Sequence, residues 1–82
     1  MKISYRGEEV GERRIDFLVD DKIMVELKAI INLESVHLAQ AKNYLEACNV
    51  EVGLLINFGA QNLQFKRLEN RKFQSFTFPP NP

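Results

Sequence analysis

Ile15, Phe17 and Val19 stand at every second position, Asp20-Asp21-Lys22 interrupts, and Ile23, Val25 and Leu27 resume the same spacing. A period of two marks a β-strand with one apolar face. Aspartates suit a tight turn between two such strands, because they bond to nearby backbone and tolerate unusual dihedrals. Residues 11–19 and 23–29 therefore read as an antiparallel pair. Its register is tightly constrained, since a slip of one residue would turn one strand's whole apolar set away from the core. For the two apolar sets to share a face, the numbers of paired residues must sum to an even value, and Val19 opposite Ile23 meets that condition with a three-residue loop. The same register sets Asp16 directly opposite Glu26, and Arg14 opposite Lys28, on the other face. A two-residue turn without a bulge would put the carboxylates on opposite faces.

The remaining segments supply the rest of the sheet. Residues 2–6 alternate as a first strand, with Gly7-Glu8-Glu9 as a turn signal. From Ser35 to Cys48 the period becomes helical: Leu38, Ala41, Leu45 and Cys48 form one stripe, Ser35 is the expected N-cap, and Asn49 is a stop. Residues 51–58 are a nearly continuous apolar run that suits a strand buried on both faces, although periodicity alone leaves a helix open there. After the turn Gly59-Ala60-Gln61-Asn62, the residues Leu63, Phe65 and the stem of Arg67 alternate as a fifth strand, pairing back antiparallel. A strand-helix-strand unit crosses over right-handed, so the third and fourth strands should be parallel. The expectation is an α/β fold, βββαβ plus a fifth strand, with a mixed sheet and one flanking helix. Residues 1–72 form the expected single domain, and 73–82 a tail that stops being ordered before Pro79-Pro80-Asn81-Pro82.

A chain of 82 residues has a small core, because it buries only roughly 60–65% of its unfolded surface. With 45% hydrophobic and 27% charged residues it has the composition of a folded domain. Eleven basic and eleven acidic residues cancel, which excludes a strong overall field for phosphates and makes any nucleic-acid contact local. Cys48 is the only cysteine, so there is no intrachain disulfide, and a reducing, cytoplasmic setting is expected. No apolar run approaches the roughly 20 residues that span a bilayer, so no membrane partner is expected.

Directly opposed residues in an antiparallel pair have Cβ atoms roughly 4.5–5.5 Å apart, close enough for two carboxylates to share a hard divalent cation. Asp16 and Glu26 are the candidate ligands, with the backbone carbonyl of Leu27 as a further oxygen. Lys28, two residues beyond Glu26 on the same face, can order an attacking water or offset charge on a phosphate. Mg²⁺ or Mn²⁺, water and lysine together point to phosphodiester hydrolysis.

Asp16, nine intervening residues and then Glu26-Leu27-Lys28 resembles the D…ExK signature of the PD-(D/E)XK nucleases. The segments VGERRIDFLVDDKIMVELKAI, VHLAQAKNYL and VGLLINFGA resemble the GxxExxxxR proteins of that superfamily, over about Ile3 to Leu68. The resemblance implies a restriction-endonuclease-like fold and a metal-dependent nuclease acting on DNA or RNA, with DNA favoured. It adds Gln40 to the catalytic residues Asp16, Glu26 and Lys28, because Gln40 and Tyr44 repeat a Q-x-x-x-Y pattern carried by exonuclease branches on this helix. The family's naming motif lies on a helix ahead of the first strand, where this chain begins. The fold is thus expected to be truncated at its N-terminus, with a homo-oligomer covering the face such a helix would cover.

Each feature also has a plainer reading. Asp16, Glu26 and Lys28 could form a solvated strand face with cross-strand ion pairs, Tyr44 could be packing, and His37 a capping residue. Lys66, Arg67, Arg71 and Lys72 could track a phosphate backbone or be ordinary surface. The rival function is a catalytically inactive nuclease-like module that binds nucleic acid or a protein partner.

Overall fold

The structure, a computed structural model, describes residues 1–9 and 14–75. Five strands, β1 (Ile3–Glu9), β2 (Arg14–Val19), β3 (Ile23–Lys28), β4 (Val52–Asn57) and β5 (Gln64–Glu69), lie side by side in chain order. One helix, α1 (Ser35–Cys48), links β3 to β4. β3 and β4 run parallel and the other neighbouring pairs antiparallel. This is the expected α/β mixed sheet. The start of the second strand at Gly11 and the segment beyond Ser75 lie outside the described residues.

The β2–β3 hairpin has the register that the apolar spacing requires, with Val19 opposite Ile23, Asp16 opposite Glu26 and Arg14 opposite Lys28. Asp20 and Asp21 adopt left-handed backbone at φ 51° and 56°, which is how three residues reverse the chain. The Lys2 amide donates to the Asp20 carboxylate at 2.6 Å, tying this turn to the start of β1.

Three local expectations are corrected. The first strand does not end at Gly7; it continues through Gly7-Glu8-Glu9, with a register shift between Tyr5 and Gly7 that leaves Arg6 as the extra residue. Such a bulge lets a strand absorb a residue and bend without ending. The N-cap is Glu34, not Ser35: the Glu34 amide donates to Nδ1 of His37 at 2.9 Å, so His37 serves the cap. Asn49 closes α1 in left-handed conformation, as an αL cap does.

The third correction concerns which face is covered. Ala41 and Leu45 of α1 are buried, and Leu45 forms the core with Met24 and Val50, flanked by Leu18, Tyr44, Cys48 and Leu68. Leu18, Met24, Gly53 and Leu68 are successive register partners on one face of the sheet. The same face carries Asp16, Glu26 and Lys28. The helix therefore sits on the side of the acidic pair, and the Ile15/Phe17/Val19 and Ile23/Val25/Leu27 set points the other way. Period-two spacing assigns residues to a common face but does not say which face the helix takes. Gly53 decides it locally, since a Cβ there would lie 2.8 Å from Leu45 Cδ1. Only glycine lets α1 come this close.

Candidate active site

The site face of the sheet is organised in rows across the strands. The first row, Leu18–Met24–Gly53–Leu68, is the apolar floor under α1. The next runs Gly7–Asp16–Glu26–Leu55–Lys66, and the last Arg14–Lys28–Asn57–Gln64. The acidic pair thus lies between a hydrophobic row and a polar one, near the carboxyl ends of the parallel strands β3 and β4. Open α/β sheets commonly place their ligands beyond those ends.

Asp16, Glu26 and Lys28 are brought together and buried, at 3%, 3% and 2% exposure. They are not a solvated strand face. Each carboxylate has a cation two positions along its own strand: Lys28 Nζ lies 3.2 Å from Glu26 Oε2, and Arg14 Nε lies 3.5 Å from Asp16 Oδ2. Two acids and two bases thereby offset one another where lone charges would be costly. The Arg14 guanidinium also lies over the Tyr44 ring, 5.4 Å from its centroid. Burial pushes the Tyr44 hydroxyl above its ordinary range, and the neighbouring Cys48 and Asp16 push it the same way.

Gln40 is exposed, one helical turn before Tyr44, and no described hydrogen bond joins it to the acidic pair. Leu27 presents its backbone between Glu26 and Lys28, while its side chain shares the opposite face with Ile15 and Ile56. The basic cluster near the C-terminus is divided. Lys66 aligns with the acidic row, Arg67 lies on the opposite face in an ion pair with Glu69, and Lys72 approaches Glu46 at 3.8 Å.

Sequence reasoning missed a latch beside the site. Asn57 is fully buried; its Oδ1 accepts from the amides of Ile30 at 2.9 Å and Gly59 at 3.0 Å, and its Nδ2 donates to Gln64 Oε1 at 3.0 Å. Gln64 Oε1 also accepts from the Leu33 amide at 2.8 Å. These bonds hold the connection that leaves β3 directly after Lys28. The available signal was an amide closing an otherwise apolar strand, next to a Phe58-Gly59 turn.

The donors suit a hard divalent ion: two carboxylates face one another on adjacent strands, and oxygen is what such ions prefer. Among the described residues no group of three or more His, Cys, Asp and Glu forms a cage. An ion here would complete its shell from water, backbone or substrate oxygen, as Mg²⁺ habitually does.

The model of the PD-(D/E)XK nuclease superfamily matches residues 1–68, and the chain belongs to that superfamily. No curated protein and no solved structure matches it. The mixed sheet with its helix after β3 is the restriction-endonuclease-like arrangement such a member should have. Among the described residues, no helix is long and apolar enough to cross a membrane.

Proposed function

We propose that the chain is a metal-dependent nuclease that hydrolyses phosphodiester bonds at Asp16, Glu26 and Lys28. The observation that carries the reading is the register of β2 and β3, which sets the two carboxylates opposite one another with the Lys28 ammonium on the same face. Asp16, Glu26 and the Leu27 carbonyl would hold Mg²⁺ or Mn²⁺. Such an ion, when bound, polarises a phosphoryl oxygen and lowers the pKa of a bound water. Lys28 offsets the charge that accumulates on the phosphate and orders the attacking water. Gln40 orients the site from α1. Arg14 lies 3.5 Å from Asp16 in the structure, so Asp16 would have to be shared between the guanidinium and a bound ion.

The partners of this reading are nucleic acid, DNA first, and a second copy of the chain. Residues 1–72 act as the domain and 73–82 as its tail. Within the superfamily the reading is a GxxExxxxR protein, supported by the resemblance of the three segments quoted above. A lone thiol at Cys48 suits the cytoplasm.

The test is cleavage of duplex DNA, single-stranded DNA and RNA with Mg²⁺ or Mn²⁺ and with chelator. Cleavage should require the metal and be lost in Glu26→Gln and Lys28→Met. Cleavage that survives both substitutions refutes the reading. One observation favours a second reading: the acidic pair is buried and each carboxylate already has its cation. An inactive module of this fold would retain nucleic acid or a protein partner without turnover, and metal would change that binding little.

A further inference from the structure

Beyond the carboxyl ends of β3 and β4, the connection that leaves β3 and the turn between β4 and β5 flank a recess of about 450 Å³, open to solvent. Its walls are Ile31, Asn32, Ala60, Gln61, Asn62 and Gln64. Four of these six side chains are carboxamides and none is charged. Such a lining suits a flat, neutral ring with hydrogen-bonding edges better than it suits a phosphate or a metal ion. Ile31, 90% exposed, gives a ring an apolar surface to lie against.

The amides of this wall are oriented from inside the fold. A backbone N–H can only donate, so the two that meet Asn57, from Ile30 and Gly59, fix its Oδ1 as the acceptor and turn its Nδ2 away. That Nδ2 donates to Gln64 Oε1, which also accepts from the Leu33 amide, so Gln64 in turn directs its Nε2 outward. Gln64 Nε2 donates to Asn32 Oδ1, which leaves Asn32 Nδ2 at the end of the relay. Three carboxamides thus run in one sense, from fully buried Asn57 to exposed Asn32. Pinning the connection after β3 requires only the inner two. The outer step adds an edge of N–H donors, and among the described residues Asn32 Nδ2 meets no acceptor.

We infer that this recess takes the base of an unpaired guanine nucleotide, with Asn32 and Gln64 donating to its O6 and N7. Guanine alone presents two acceptors side by side on that edge; adenine and cytosine present an amino group there, and thymine sets a methyl group beside its single acceptor. Paired bases lie at the bottom of a groove and are reached by projecting elements, whereas a recess admits a ring that has left the stack. The inference rests on the nuclease reading for its class of ligand and names the nucleotide that the site selects. Gln64 shares the row of Lys28 two strands away, about 10 Å at the usual strand spacing. The selected nucleotide therefore neighbours the phosphate that Lys28 serves.

The test uses the whole isotope-labelled chain with chelator present, so that cleavage plays no part. Short single-stranded oligothymidylates carrying one central guanine, 7-deazaguanine or cytosine are titrated in, and the side-chain amide signals of Asn32 and Gln64 are followed by nuclear magnetic resonance. The guanine strand should shift these signals and bind about tenfold more tightly than the cytosine strand, the discrimination expected of one two-donor contact. The 7-deazaguanine strand, which lacks N7, should lose most of that margin. Asn32→Ala, at an exposed position, should erase the preference while circular dichroism stays that of the parent. Amide signals that stay still with every strand overturn the inference, as does a guanine preference that survives Asn32→Ala. Guanine preference in a chain that cleaves nothing with metal supports the recess and refutes catalysis; metal-dependent cleavage without the preference keeps the nuclease reading and overturns the recess.

Discussion

Asp16 and Glu26 face one another across the β2–β3 ladder, and each carboxylate is met by a cation two residues along its own strand, Arg14 at 3.5 Å and Lys28 at 3.2 Å. The four charges sum to zero in a buried setting, and this balance sets the behaviour of the site. Removing one member takes a balancing charge away from the others, which is more costly than losing a surface pair.

Arg14→Met should therefore destabilise the fold by about 3 kcal/mol, the lower end for breaking a buried pair. It also leaves Asp16 and Glu26 without one of their balancing charges. Mn²⁺ should then raise the melting temperature of the variant by more than it raises that of the parent. Thermal denaturation with and without Mn²⁺ measures both effects.

Asn57→Ala removes the acceptor shared by the Ile30 and Gly59 amides and the donor to Gln64. Each buried group left without a partner costs about 1–3 kcal/mol. Denaturant unfolding should show a loss of about 2 kcal/mol or more. Amide exchange should quicken at Ile30 and Leu33 before the β2–β3 ladder is affected.

Gly59→Ala should be worse. A Cβ at this position would lie 2.3 Å from the Ile30 carbonyl oxygen and 2.4 Å from its amide nitrogen, so backbone must move. Gly53→Ala first meets the Leu45 side chain, the nearest atom at 2.8 Å, and should cost about 1–3 kcal/mol, as overpacking does. Comparing the two denaturation midpoints tests the order.

The Tyr44 hydroxyl is held above its ordinary value of 10.0, chiefly by burial. The folded state thus favours the neutral phenol. Its contribution is fully present below the unfolded value and is lost as pH rises through the folded one. Stability should fall more steeply in strongly alkaline solution for the parent than for Tyr44→Phe, as followed by denaturant unfolding across that range.

The hairpin was legible in the sequence because two strands of period two around a short turn leave few registers, and only an even sum keeps Phe17 and Val25 on a common face. The helix was legible in its stripe, and the crossover rule gave the parallel β3–β4 pair. Alternation could not show which side α1 would cover. That depends on Gly53 admitting Leu45, a contact between residues distant in sequence. The bulge at Arg6 was hidden because Gly7 reads as a turn when its neighbours are unknown. Asp16, Glu26 and Lys28 were legible as a group, but their burial was not. Nor was the place of Arg14 over Tyr44, which requires the helix to be positioned first. Asn57 went unnoticed because an amide closing an apolar run has no local pattern that marks it as buried.

The most direct test of the central claim is titration of the purified chain with Mn²⁺, following the fraction bound by electron paramagnetic resonance. A site that both Asp16→Asn and Glu26→Gln abolish, in variants that keep the parent's circular dichroism, is the predicted result. Mn²⁺ binding unchanged in the two variants, or absent from the parent, would contradict the assignment of these facing carboxylates as a metal site.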